Sequence, residues 1–266
     1  MDRAGSGVFR RGNVIRFVTE TGSTNSDLAA QLRAGEAVAE GHWLVADRQL
    51  AGRGRQGRDW FDGSGNFMGS TIVRVSPRDP SPATLALVSG VAVYEAVAAI
   101  IAEPHRLRLK WPNDLMLDGA KLAGILLERE RDAIIVGIGV NLAAAPQLPD
   151  RRTVALAQIG VTPDRDTFAR SLAECFDREV ERWRTYGLEP LVRRWKSVAH
   201  AFGTPLTVQP PAVHPASHES QPGDWEVGTS KLYPSSKLHL ALSHPAILCG
   251  VPVLLNQYWS PGPMRC

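Results

Sequence analysis

Three glycines and three arginines interleave in Gly52-Arg53-Gly54-Arg55-Gln56-Gly57-Arg58. Glycines let backbone N–H groups approach a ligand closely, and the forked guanidinium groups of Arg53, Arg55 and Arg58 suit a phosphate or a carboxylate. An anionic ligand is the chemistry on offer. The segment also matches GxGxxG letter for letter, but a dinucleotide-binding loop opens directly onto a helix whose N-terminus holds the pyrophosphate. Here the loop runs into Asp59-Trp60-Phe61-Asp62-Gly63-Ser64-Gly65, a stretch without helical character. Taken alone, the seven residues suit a solvated loop or an RGG-like nucleic-acid segment as well as an anion site.

A second group is Lys110-Trp111-Pro112-Asn113-Asp114-Leu115, followed shortly by Lys121-Leu122-Ala123-Gly124-Ile125-Leu126. Two lysines bracket an Asn-Asp turn that proline fixes. Asn113 and Asp114 can hold a nucleotide or its Mg²⁺, Trp111 offers a flat apolar wall, and a lysine beginning a strand can face a reacting phosphate. Singly, each lysine reads as a surface charge and Trp111 as a core aromatic. The third group, Gly137-Ile138-Gly139-Val140-Asn141-Leu142, removes side chains from a strand end and leaves Asn141 with both a donor and an acceptor; alone it reads as a bulge or tight packing site. The fourth, Thr21-Gly22-Ser23-Thr24-Asn25, reads as a helix cap or as hydroxyls that suit a small polar ring.

Alternating patterns predict strands over residues 14–19, 42–46, 67–75 and 106–110, with a hairpin of 122–128 and 133–140 around the charged turn 129–132. Helical periodicity covers 27–33, ended by Gly35, then 84–102, 166–186 and 189–199. Strand, polar turn and helix therefore open the chain. The 84–102 run is long and apolar, but Glu95 near its middle would be costly in a bilayer, so it reads as a buried core helix behind the start Pro80-Ser81-Pro82. At least five strands, several adjacent in sequence, predict an α/β (α+β) chain with a mixed sheet.

The 266 residues are 44% apolar and 21% charged, which excludes a disordered or fibrous chain. A net charge of +3 is too slight to predict nucleic-acid or membrane binding, so any basic patch is local. Cys175, Cys249 and Cys266 form no CxxC pair, which argues against a disulfide framework or structural zinc and for a reducing cytoplasm. The first residues carry no apolar run of signal-peptide length.

In this order and spacing the four groups are far more specific than any one of them. Over residues 14–208 the chain resembles the catalytic domain of bacterial biotin protein ligases, the biotin–[acetyl-CoA-carboxylase] ligases. The resemblance rests on STN from Ser23, DRQLAGRGRQGRDW from Asp47, KWPNDL from Lys110, KLAGIL from Lys121 and GIGVNL from Gly137. It implies a class II aminoacyl-tRNA synthetase-like catalytic domain over 1–208, with ATP and Mg²⁺ as co-substrate and metal and biotin as substrate. Biotin would become biotinyl-5′-AMP and then pass to a lysine of a biotin carboxyl carrier domain. By the same resemblance Ser23, Thr24, Asn25 and Gln49 would bind the polar head of biotin, while Gly124 and Gly137 leave room for its bicycle. Arg53, Gly54 and Arg55 would close over biotin and the adenylate, and Lys121, with Arg53 and Arg55, would carry catalysis. Arg58, Lys110, Asn113, Asp114 and Asn141 would serve ATP, with Asp114 on the metal.

Some relatives carry an N-terminal helix-turn-helix domain, but the first strand here starts about 14 residues from Met1, which predicts a ligase without DNA binding. Relatives end in an SH3-like barrel, and Gly203-Thr204-Pro205-Leu206-Thr207-Val208 looks like its first strand. Residues 209–266 then hold nine of the 19 prolines and only six charged residues, a composition that resembles translation in a shifted frame rather than the rest of the barrel. Two rival readings remain. A lipoate or octanoate ligase on the same scaffold would hold a linear acyl chain, which the Ser-Thr-Asn cluster disfavours. A nucleic-acid module would use Trp60 and Phe61 as stacking platforms beside the arginines, leaving the KWPND and GIGVN segments without a purpose.

Overall fold

The computed structural model describes residues 14–200, together with Leu206–Thr207 and Leu232–Tyr233. β1 (Ile15–Thr21) leads through α1 (Thr24–Ala34) to β2 (Trp43–Gln49), which pairs with β1 in parallel. β3 (Phe67–Arg74), β4 (Leu107–Lys110), β5 (Asp114–Leu117), β6 (Ala120–Glu130) and β7 (Ala133–Val140) complete a seven-stranded sheet in the order β1-β2-β3-β7-β6-β5-β4. Every pairing after the first is antiparallel, so the sheet is mixed, as the run of adjacent strands requires.

The two faces are covered unequally. On one, α2 (Leu85–Ala98), α3 (Arg165–Tyr186) and α4 (Leu188–Val198) bury the main core with Trp43, Phe67, Ile125, Val136 and Ile138. α2 is buried on nearly all sides, which its alanine- and valine-rich sequence allows. Glu95, the carboxylate that argued against a membrane span, pairs with Arg178 at 2.7 Å and with Arg194. Buried Glu179 pairs with Arg182 and Arg194, so charged groups clamp three helices together. No described helix is long and apolar enough to cross a membrane. On the other face α1 alone among the described helices packs down, over Leu44, Ile72, Ala133 and Ile135. The remainder of that face is left for the site.

Local chemistry explains where elements stop, and where the sequence reading missed. Gly35 ends α1 at φ 79°, its N–H reaching the Gln31 and Leu32 carbonyls. Ser23 occupies the N-cap position, but its side chain makes no capping hydrogen bond, and Thr24 and Asn25 lie inside the helix. The polar cap expected at residues 21–25 is therefore mostly not a cap. β5 was read as part of a turn, yet it pairs with both β4 and β6. The signal for it was Asp118-Gly119, both at positive φ, which is the Asp-Gly pair that closes a two-residue hairpin. The next hairpin is equally tight: β6 runs to Glu130, and Arg131 and Asp132 alone make the turn expected over 129–132. In the tail, Leu206–Thr207 falls in the segment expected to open a barrel and pairs antiparallel with Leu232–Tyr233. The other expectations for residues 1–13 and 209–266 lie outside the described residues.

Candidate active site

Sheet register builds the floor of the site. One row across β3, β7, β6 and β5 is Met68, Gly139, Gly124 and Asp114; the next, across β3, β7 and β6, is Ser70, Gly137 and Leu126. A third row places Ile72, Ile135 and Glu128 side by side under and beside α1. Alternation turns these residues away from the main core. The glycines are there because other side chains lie across them. A Cβ on Gly139 would overlap the Trp60 indole, and one on Gly124 would sit 2.8 Å from Trp60 and 3.2 Å from Lys121 Nζ. A Cβ on Gly137 would overlap the Asn25 amide.

At the α1 end, buried polar groups bond to one another. The Thr24 amide donates to Gln49 Oε1 at 2.8 Å, and Thr24 Oγ1 lies 3.1 Å from Gln49 Oε1 and 2.6 Å from Ser70 Oγ. Ser70 Oγ donates to Asn25 Oδ1 at 2.6 Å, and Asn25 Nδ2 donates to Glu128 Oε2 at 2.7 Å. Arg53 reaches the same end, donating to Ser26 Oγ at 2.8 Å and lying 3.4 Å from Glu128 Oε1. The Gln49 backbone N–H is fixed by Asp62 Oδ1 at 3.0 Å.

At the β5 end the groups are cationic. Lys121 Nζ lies 2.7 Å from Asp114 Oδ1, an ion pair by distance that is not aligned as a hydrogen bond, and 5.6 Å from the Trp60 ring centre. Arg55 donates to Asn113 Oδ1 at 2.9 Å, while Asn113 Nδ2 donates to the Ile125 carbonyl at 2.8 Å. Burial lowers the pKa of Arg55, Asp114 opposes that shift, and Arg58 adds to it. The guanidinium is thus held where its charge is incompletely balanced. Asn141 is buried; its Nδ2 donates to the Val154 carbonyl at 3.2 Å, and its Oδ1 is buried without a hydrogen-bond partner, as is Trp60 Nε1.

The structure therefore gathers most of the residues singled out in the sequence, though not around one point. Ser23, Thr24, Asn25, Gln49, Arg53 and Gly137 lie at the α1 end, whereas Arg55, Asn113, Asp114, Lys121 and Gly124 lie at the β5 end with Trp60 between. Gly54 holds the loop closed through its N–H to the Arg58 carbonyl. Lys110 sits opposite Asp114 in the β4–β5 register, and Arg58 is exposed. Four contributors have no role among the site residues that the sequence assigns: Ser70, Glu128, Gly139 and Trp60. As part of the arginine-loop motif Trp60 carries no assigned role, and as a stacking platform for nucleic acid it would face outward, but it turns inward over two glycines. The i, i+2 pair Gly137 and Gly139 carried a signal, since both must point to one face of a strand. Ser70 and Glu128 gave none, being ordinary residues of ordinary strands. Among the described residues no three His, Cys, Asp or Glu side chains gather to hold a metal.

Residues 18–142 match the biotin/lipoate A/B protein ligase family. A biotin–[acetyl-CoA-carboxylase] ligase of Paracoccus denitrificans is 35% identical over 201 residues, covering 71% of this chain and 82% of that protein. A protein of the same name from Mycobacterium tuberculosis is 38% identical over 177 residues, covering 64% and 65%. A solved biotin protein ligase of Aquifex aeolicus, in complex with biotin and ATP, has a TM-score of 0.65 at 29% identity and covers 72% of this chain and 81% of that one. A mixed seven-stranded sheet with helices packed on one face and a glycine-floored site on the other is here a class II aminoacyl-tRNA synthetase-like catalytic domain. The chain belongs to the biotin/lipoate A/B protein ligase family, among its biotin protein ligases.

Proposed function

We infer that this chain joins biotin to ATP, giving biotinyl-5′-AMP and pyrophosphate, and passes the biotinyl group to a lysine of a biotin carboxyl carrier domain. Both reactants of the first step are anions. A carboxylate must approach an α-phosphate in line, so their repulsion has to be offset by cations already in position. The observation that carries the reading is the meeting of Lys121 and Arg55 at Asn113 and Asp114, beside Trp60 on the glycine floor.

In this reading the ureido ring of biotin binds near Ser23, Thr24, Asn25 and Gln49; Gly124 and Gly137, expected from the sequence to make room for the bicycle itself, instead let Trp60 and the Asn25 amide lie close to the sheet, so that the bicycle packs against those side chains. Lys121 lies between carboxylate and α-phosphate and stabilises negative charge as it develops. Arg53, Gly54 and Arg55 cover the adenylate and keep water from it until the carrier lysine arrives. Arg58, Lys110, Asn113 and Asn141 serve the nucleotide, Asn141 through an acceptor that makes no protein hydrogen bond. Asp114 stands at this end, and a carboxylate there suits Mg²⁺ that takes its other ligands from phosphates and water. When bound, the metal would supply further positive charge to the phosphates. The acyl group is read as biotin rather than lipoate because the α1 end offers a dense set of buried polar groups, where a linear acyl chain needs none.

The test is ATP–pyrophosphate exchange by the purified chain with biotin or lipoate, followed by the mass of a carrier domain incubated with biotin and Mg-ATP. Biotin-dependent exchange and one biotinyl addition on the carrier are expected. Exchange with lipoate alone would overturn the reading.

A further inference from the structure

We propose that Glu128 is a positioning residue that couples the arginine loop to the polar start of α1, so that loop and helix are set together at the α1 end of the site. The proposal rests on the biotin reading of the site. Glu128 lies at the far end of β6, outside every group that the sequence marked, with its side chain only 15% exposed. Its two oxygens face different elements. Oε2 accepts from Asn25 Nδ2 at 2.7 Å, and Oε1 lies 3.4 Å from the Arg53 guanidinium. The same Arg53 nitrogen donates to Ser26 Oγ at 2.8 Å, so loop, helix and strand meet around one carboxylate.

Two consequences follow from donor and acceptor geometry. Asn25 has its oxygen engaged by the Ser70 hydroxyl and one N–H engaged by Glu128, which fixes which way its amide faces over Gly137. One N–H of Asn25 then remains for a ligand. Arg53 is 44% exposed, so its ion pair adds little to global stability; what the pair does is choose one place for a glycine-rich loop that has many. Glu128→Gln separates these effects from charge burial. A glutamine still accepts from Asn25, but its NH₂ then faces the Arg53 guanidinium, donor against donor.

The experiment has one arm without ligand and one with it. In limited trypsin digestion followed by mass spectrometry, Glu128→Gln should cleave after Arg53 and Arg55 about fivefold faster than the parent chain, the factor expected for losing one modest hydrogen bond, with other sites unchanged. In an Arg53→Gln background, cleavage after Arg55 should already be fast and Glu128→Gln should add nothing, because the two residues act as a unit. In biotin-dependent ATP–pyrophosphate exchange, Glu128→Gln should raise KM for biotin about five- to tenfold and leave kcat within about twofold. Unchanged loop cleavage and unchanged KM would overturn the proposal. So would faster cleavage spread over all sites with a lowered Tm, since that marks a merely structural residue. Loop-confined acceleration in a parent chain that shows no biotin-dependent exchange would support the coupling and overturn the biotin reading instead.

Discussion

At the α1 end of the site, Thr24, Asn25, Gln49, Ser70 and Glu128 direct hydrogen bonds to one another; at the β5 end, Lys121 pairs with Asp114, Arg55 bonds to the neighbouring Asn113, and the buried Trp60 Nε1 and Asn141 Oδ1 have no hydrogen-bond partner. The first end is a bonded network within the folded protein, with one Asn25 N–H left over for a ligand. The second carries donors, an acceptor and positive charge beyond what the fold uses. A satisfied network rigidifies its part of the pocket, whereas incompletely balanced charge is what stabilises an anion without reorganisation. On the proposed function, the contrast fits recognition of a fixed polar ring at one end and stabilisation of developing negative charge at the other.

Lys121→Ala gives the largest expected effect. Loss of one positioned charge donor at a reacting centre typically costs about 10²–10³ in rate, and biotin-dependent ATP–pyrophosphate exchange should fall by that much. KM for biotin should change far less, because the α1 end is untouched. Circular dichroism and Tm should show a retained fold, since Lys121 pairs only with a partly exposed Asp114 and the Trp60 face. Unchanged exchange would break the division of labour at its catalytic end.

That division was only partly legible in the sequence. The arginine loop, KWPND, KLAGIL and GIGVN stand out because glycine and charge are costly inside strands and loops unless something requires them, and the mixed sheet followed from strands adjacent in the chain. What did not show was which end each residue serves. Arg53 and Arg55 are two residues apart, yet one meets Ser26 and Glu128 and the other meets Asn113. That separation comes from loop geometry, not from spacing. Thr24 and Asn25 read as a cap because Ser, Thr and Asn favour that position, but their side chains bond to strands 25 to 103 residues away, which local propensity does not encode. β5 was lost for the opposite reason: Asp118-Gly119 encoded its hairpin locally and was outweighed by the prominence of the lysines on either side.

Thr24→Val tests the other end at nearly constant volume. The hydroxyl that meets Gln49 and Ser70 disappears, while the Thr24 amide still donates to Gln49. Leaving buried polar atoms short of a partner costs about 1–3 kcal/mol, so the urea midpoint should drop with an unchanged m value. KM for biotin should rise with kcat less affected. A variant with full stability and normal biotin binding would show that the cluster is not the rigid, ligand-shaping unit inferred from its bonds.

Arg55→Ala has the smallest expected effect on the folded protein and divides the two ends most finely. Burial opposes the charge of Arg55 more than Asp114 supports it, so removing the guanidinium relieves a cost as well as breaking a hydrogen bond to Asn113. Asn113 keeps its bonds to Ile125 through both backbone carbonyl and side-chain amide. Stability should therefore fall by no more than about 1 kcal/mol, since the relieved burial offsets part of the lost hydrogen bond. Function should change in a specific way, because the same guanidinium is proposed to cover the adenylate. In single-turnover mixtures with biotin and Mg-ATP, free biotinyl-5′-AMP should increase several-fold relative to biotinyl carrier, as roughly expected for the loss of a gate rather than of a catalytic charge. If instead Arg55→Ala unfolds at markedly lower urea and releases no more adenylate than the parent, then Arg55 is structural, and the β5 end is as self-contained as the α1 end.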